Sequence, residues 1–125
     1  MGLECFAVKV VDAHPALFAE VPRGTEGGVH HGLGSQQPQG FYGSRYAAFV
    51  DRVTDGEISL YTPLLPVDEV KTLADALADW VAEHPEASWT DPHKPDVVLT
   101  PSEIQALAQW FRIAADNECL VEGWW

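Results

Sequence analysis

Residues 100–116, TPSEIQALAQWFRIAAD, hold the clearest structural instruction in the chain. Thr100 followed by Glu103 is a capping box. The threonine oxygen can accept from the backbone N–H three residues on, and the glutamate can reach back to the threonine N–H. Pro101 sits at the first helical position, where its missing N–H would have been an orphan anyway. Ile104, Leu107, Phe111 and Ala114 then fall on one stripe at helical spacing, with Trp110 beside it. Asp116-Asn117 is a reasonable stop. The segment predicts an amphipathic helix that needs something to pack against.

A second helix is predicted upstream, over Val67–His84. Val67, Val70, Ala74, Leu77 and Val81 recur at spacings of three and four, Leu73 and Trp80 widen the stripe, and Asp68, Asp75, Asp79 and Glu83 take the opposite side. Pro85 restricts His84 and ends it. The connector Pro85–Asp96 is proline-rich, its Trp89 is expected to fold back on the core, and Val97–Leu99 suits a short strand.

Strands are expected elsewhere. Leu3–Asp12, LECFAVKVVD, is nearly continuous in β-formers and reads as an internal strand, with Phe6, Val8 and Val10 on one face and Cys5, Ala7 and Val11 on the other. Glu57–Thr62 alternates and reads as a strand beside it. The tail Cys119–Trp125 suits an edge strand that docks its tryptophans. Ala16–Glu20 can form a helical turn after His14-Pro15.

Ser44–Asp55 is ambiguous. Tyr46, Phe49, Val50 and Val53 fit a helix capped by Ser44, whereas Asp55-Gly56 between apolar runs fits a hairpin. In a strand Asp51 would share a face with Phe49 and Val53, so the helix is preferred. The expected fold is therefore α+β, a single domain over residues 1–125. Two long amphipathic helices pack a small sheet of two to four strands, and a long glycine-rich loop crosses one edge.

That loop is Pro22–Ser44, PRGTEGGVHHGLGSQQPQGFYGS, with seven of the ten glycines and no period of 2 or 3.6. Loops beyond about 12–15 residues are usually functional or disordered. His30 and His31 at its centre are candidates for metal binding or acid–base work, with His14, His93, Asp91 or Cys119 as distant co-ligands. Adjacent imidazoles rarely chelate one ion together, and no HxH, HExxH or CxxC spacing supports a site. No metal or cofactor is expected. The Gly32-Leu33-Gly34 run completes neither a dinucleotide nor a P-loop pattern, and no GxSxG elbow occurs.

Charge supplies the remaining signal. The formal net charge is −12, and it is uneven: residues 1–65 hold seven acids against four bases, residues 66–125 twelve against three. Such a field repels nucleic acid and anionic lipid, so neither is an expected partner. No apolar run approaches the ~20 residues of a membrane span, and MGLECFAVKV lacks the basic start of a signal peptide. Cys5 and Cys119 read as reduced core residues, and the expected location is the cytoplasm.

Two explanations of the acidity stand side by side. One is solubility or a salty cytoplasm, which makes the chain a halophile's housekeeping domain. The other is a partner protein with a basic surface, which makes it a small inhibitor-, immunity- or antitoxin-like module. For the second, the candidate contact residues are Asp68, Asp75, Asp79 and Glu83 on the helix face, with Tyr42 and Arg45 where the loop re-enters regular structure. Trp124 and Trp125 mark a partner site only if left exposed. A loop-centred metal protein or hydrolase using His30 and His31 is the enzymatic alternative.

Overall fold

The computed structural model describes residues 3–9 and 40–125; for Val8, Lys9 and Tyr42 it describes the backbone only. In chain order the elements are β1 (Glu4–Lys9), β2 (Gly40–Tyr42), a 3-10 turn (Gly43–Arg45), α1 (Ala47–Val53), β3 (Leu64–Leu65) and α2 (Val67–Glu83). They continue with β4 (Trp89–Asp91), β5 (Lys94–Leu99), α3 (Pro101–Asp116) and β6 (Cys119–Trp124). The α+β expectation is met. His30, His31, His14 and the segment Ala16–Glu20 lie outside the described residues, as does most of the glycine loop. The part of that loop that is described corrects the reading of 22–44 as irregular throughout, because residues 40–45 are strand and 3-10 turn.

The main sheet is antiparallel with order β2-β1-β6-β3. β1 is internal, as its two-sided apolar pattern requires. The tail is internal too, which corrects its placement at an edge: β6 pairs with β1 from Glu4↔Trp124 to Lys9↔Cys119 and with β3 at Leu64↔Glu122. Six ladder positions with β1 hold it there. Glu57–Thr62 is not a strand, although Ile58 and Leu60 are buried in alternation. Its hairpin mate would have been residues 46–53, and these form α1, so the alternating segment has no ladder to join.

α1 follows the helical spacing of Tyr46, Phe49, Val50 and Val53, but Ser44 does not cap it. The 3-10 turn occupies that place, and Tyr46 stands at the N-cap with its side chain taking no part in capping the helix. Thr54 closes the other end. Its hydroxyl donates to the Val50 carbonyl at 2.8 Å and accepts from the Ile58 N–H at 3.2 Å. Asp55 and Gly56 take the positive φ values, 51° and 79°, that turn the chain there.

α2 and α3 lie against each other and against β6 on one side of the sheet. Val70, Leu73, Ala74 and Leu77 face Ile104, Leu107, Phe111 and Ala114 in one hydrophobic cluster with Leu3, Cys5, Ala7 and Val121 of the sheet. A ring of edge-to-face aromatics fills its centre, with Phe41 at 4.8 Å from Trp110, 5.7 Å from Phe111 and 5.9 Å from Tyr46. A second group joins Phe49 to Trp80 at 5.1 Å and to Trp89 at 5.3 Å, so Trp89 does fold back. Each such side chain contributes about 1.5–3 kcal/mol by burial, as do the leucines, isoleucines and valines packed around them.

The expectation that the tail tryptophans dock on the helices is not met. Alternation along β6 sends Cys119 and Val121 inward, and so Trp124 outward, where it is 63% exposed and meets Phe6 edge-on at 6.5 Å. Trp125 is 58% exposed and contacts Tyr61. The helices cover only the other face.

Gly123 lets the segment before β3 cross the sheet. Its N–H donates to the Pro63 carbonyl at 3.1 Å, and a Cβ there would run into the Thr62 carbonyl. Because the obstacle is backbone, Gly123→Ala is expected to cost about 2–3 kcal/mol, read as a lower urea midpoint; an unchanged midpoint would contradict this packing. Cys5 and Cys119 are both buried thiols, and burial pushes the Cys5 thiol up to about 12. Its thiolate fraction at pH 8 is then lower on the order of a thousandfold than that of an exposed cysteine. Native protein should resist a thiol reagent at that pH and react on unfolding, so rapid labelling of the folded chain at Cys5 would refute this burial.

Candidate functional site

The predicted site residues fall into two groups that the fold does not bring together. Arg45 belongs to the junction between the 3-10 turn and α3. Its Nε donates to Glu103 Oε2 at 2.7 Å and its Nη2 to Glu103 Oε1 at 3.1 Å, a bidentate pair, while Nη2 also reaches the Val98 carbonyl at 3.2 Å. Glu103 is the glutamate of the capping box read from the sequence. Oε1 accepts from the Thr100 N–H at 3.1 Å, and the Thr100 hydroxyl accepts from the Glu103 N–H. The Tyr46 hydroxyl adds a longer bond to Oε2 at 3.4 Å.

The electrostatics follow. Burial by itself pushes the Glu103 carboxyl up, but the bonds from Arg45 and Thr100 outweigh it and hold the group below its ordinary value. The bond to Glu103 raises the Arg45 guanidinium, and burial raises the Tyr46 hydroxyl, with the Glu103 charge adding to it. Tyr42 ends β2, three residues before Arg45, and lies opposite Glu4.

The acids of α2 form the second group. Asp68, Asp75, Asp79 and Glu83 lie within one narrow stripe of the outward face, about 22 Å long at 1.5 Å per residue. Asp75 is neutralised: Arg112 of α3 donates to it at 2.8 Å. Lys71, at the edge of the stripe, is taken by Glu118 at 2.9 Å. Asp68, Asp79 and Glu83 are exposed and have no ion-pair partner among the described residues. Like charges at i, i+4 cost a helix a few tenths of a kcal/mol each, which the buried face of α2 easily offsets.

Two clefts open beside this surface. The smaller, about 260 Å³, lies between the end of α1 and α2 and is lined by Asp79, Glu83 and Trp80 with Arg52 and Asp55. The larger, about 480 Å³, lies between the start of α1, the 59–61 segment and the β4–β5 turn. Asp51, Asp91, His93, Tyr61 and Trp89 line it, and sequence reasoning missed all but two of these. From the sequence, Asp91 and His93 enter only as distant co-ligands for a metal at His30 and His31. The signal for the turn was present in Asp91-Pro92-His93: the Asp91 Oδ1 accepts from the His93 N–H at 2.8 Å, a turn that aspartate forms readily before proline. Among the described residues no group of three or more histidines, cysteines and carboxylates is placed to hold a metal.

Compared with protein-family models, curated proteins and solved structures, the chain matches none.

The Glu103 junction predicts a pH effect. A folded-state pKa below the ordinary 4.5 means the charge stabilises the fold above that value and loses this effect as pH falls through and below it. Glu103→Ala should cost about 2–4 kcal/mol at pH 7, less than a wholly buried pair because the Arg45 side chain keeps a quarter of its surface in water. Against Glu103→Gln, the wild-type advantage in urea midpoint should shrink below pH 4.5; a gap constant from neutral to acid pH would refute the assignment.

Proposed function

We propose that the chain is a small acidic protein-binding module, of the inhibitory, immunity or antitoxin-like kind, that engages a basic surface on a partner protein. The observation that carries this reading is the row of carboxylates at Asp68, Asp79 and Glu83 on α2, which have no ion-pair partner among the described residues, in the half of the chain that bears twelve acids and three bases. Carboxylates in a row on a rigid helix give a directional field that steers a cationic surface and raises its association rate. Asp75 extends the row, with Arg112 as the group a partner's cation would displace. The same field repels phosphate backbones and anionic headgroups, so nucleic acid and membrane are not the partners.

Two buried thiols suit a reducing compartment, and the cytoplasm is the proposed location. Among the described residues no helix is long and apolar enough to cross a membrane.

A salt titration tests the reading. With a basic partner captured by the full chain and then purified, affinity should fall at least about tenfold between roughly 0.05 and 0.5 M salt. The Asp68→Asn, Asp79→Asn, Glu83→Gln variant should bind more slowly and with a shallower salt dependence, since removing peripheral charges acts mainly on association. Affinity indifferent to ionic strength, or a triple variant that binds like the wild type, would remove the basis of the proposal.

A further inference from the structure

The cleft beside α1 adds a second kind of recognition to a negative surface. We infer that it receives an arginine side chain of the basic partner, between the rings of Tyr61 and Trp89 and the carboxylates of Asp51 and Asp91. This rests on the reading of the chain as a binder of basic surfaces and names the contact that makes such binding specific.

Asp91 is the central observation. It is 5% exposed, yet it lines the cleft. One carboxylate oxygen is held by the His93 N–H, and the other accepts from no group among the described residues. A carboxylate fixed in place by one backbone bond, with acceptor capacity left over on the cleft lining, stabilises a donor brought in from outside. Asp51 offers a second, exposed carboxylate on the α1 side of the same cleft.

The rings favour guanidinium over ammonium. Tyr61 is 50% exposed, and Trp89 is anchored behind by Phe49, so both sit ready as stacking surfaces. A guanidinium is planar, stacks on aromatic faces and carries five donors that can serve two carboxylates, whereas an ammonium is a compact, strongly hydrated point charge. Arg52, the cation that also lines the cleft, lies 4.0 Å from Asp55 and shares the neighbouring groove with Asp79 and Glu83. The cleft volume falls within the range of about 300–1,000 Å³ typical of discrete ligand sites, enough for one side chain to enter.

The experiment titrates the full chain with hexaarginine and hexalysine peptides and with a neutral trisaccharide, following backbone amides and tryptophan indoles by NMR. Hexaarginine should shift Ala47, Ala48, His93 and the Trp89 indole, and should bind at least about threefold more tightly than hexalysine. The Asp51→Asn, Asp91→Asn variant should lose about tenfold, because asparagine keeps the His93 turn but not the charge. A Glu57→Gln, Glu86→Gln control, which removes the same charge from exposed positions outside both clefts, should lose less than about threefold. Tyr61→Leu should lose about threefold.

Equal losses in the cleft variant and the control, or equal binding of the two peptides, would overturn the arginine site. So would shifts of the cleft by the saccharide alone. Binding abolished by Asp68→Asn, Asp79→Asn but untouched by the cleft variant would overturn the cleft and leave the α2 reading standing. No binding of either peptide at low salt would overturn both.

Discussion

The fold turns on one carboxylate. Glu103 closes the N-terminal cap of α3 through Thr100 and, with the same two oxygens, receives the guanidinium of Arg45 from the chain segment that leads into α1. A cap alone would fix the start of a helix. A salt bridge alone, taken out of water, would contribute little, since desolvation consumes most of the attraction. Combined, they tie α3, the 3-10 turn and the Val98 carbonyl of β5 to one point, and the desolvation of Glu103 is offset by four donors. The aromatic cluster of Phe41, Tyr46, Trp110 and Phe111 is joined to that point through the Tyr46 hydroxyl. The Trp110 indole N–H finds no acceptor among the described residues. Burial of the ring outweighs that unmet bond, because a large aromatic removes far more apolar surface than one donor costs.

Charge is distributed by the same logic. The buried acid Glu103 is paired with Arg45, and at the surface Asp75 pairs with Arg112 and Glu118 with Lys71. With seven bases in the whole chain against nineteen acids, pairing runs out quickly. The surplus collects where helices turn to solvent, and α2, whose inward face is fully committed to Leu73, Leu77 and Val70, has no other place for its acids. Elsewhere, Tyr61, Leu64, Trp124 and Trp125 are exposed in and next to β3 and β6. The negative face and the exposed rings belong to different elements, yet Tyr61 stands both beside Trp125 and in the cleft with Asp51 and Asp91.

How far the site could be read from the residues follows from range. The α2 stripe was legible because helical periodicity is local and places Asp68, Asp79 and Glu83 on one side whatever else the chain does. The cleft was not legible. Asp51 and Asp91 are forty residues apart, and nothing in either neighbourhood indicates that α1 and the β4–β5 turn meet. Arg45 was singled out as a contact residue, but its engagement by a glutamate fifty-eight positions away could be known only from the fold.

The sequence by itself determined the two long helices, the capping box and the internal character of β1, and favoured a helix over a strand for residues 47–53, because each rests on interactions within a few residues or on a face that must be buried. Tertiary structure decided the rest. β6 became a central strand and Ile58–Leu60 lost its ladder, because strand partners are allotted by competition for edges among segments far apart in sequence. The tryptophans of the tail faced outward for a related reason: alternation fixes that neighbours point to opposite sides, and only the assembled layers fix which side is covered.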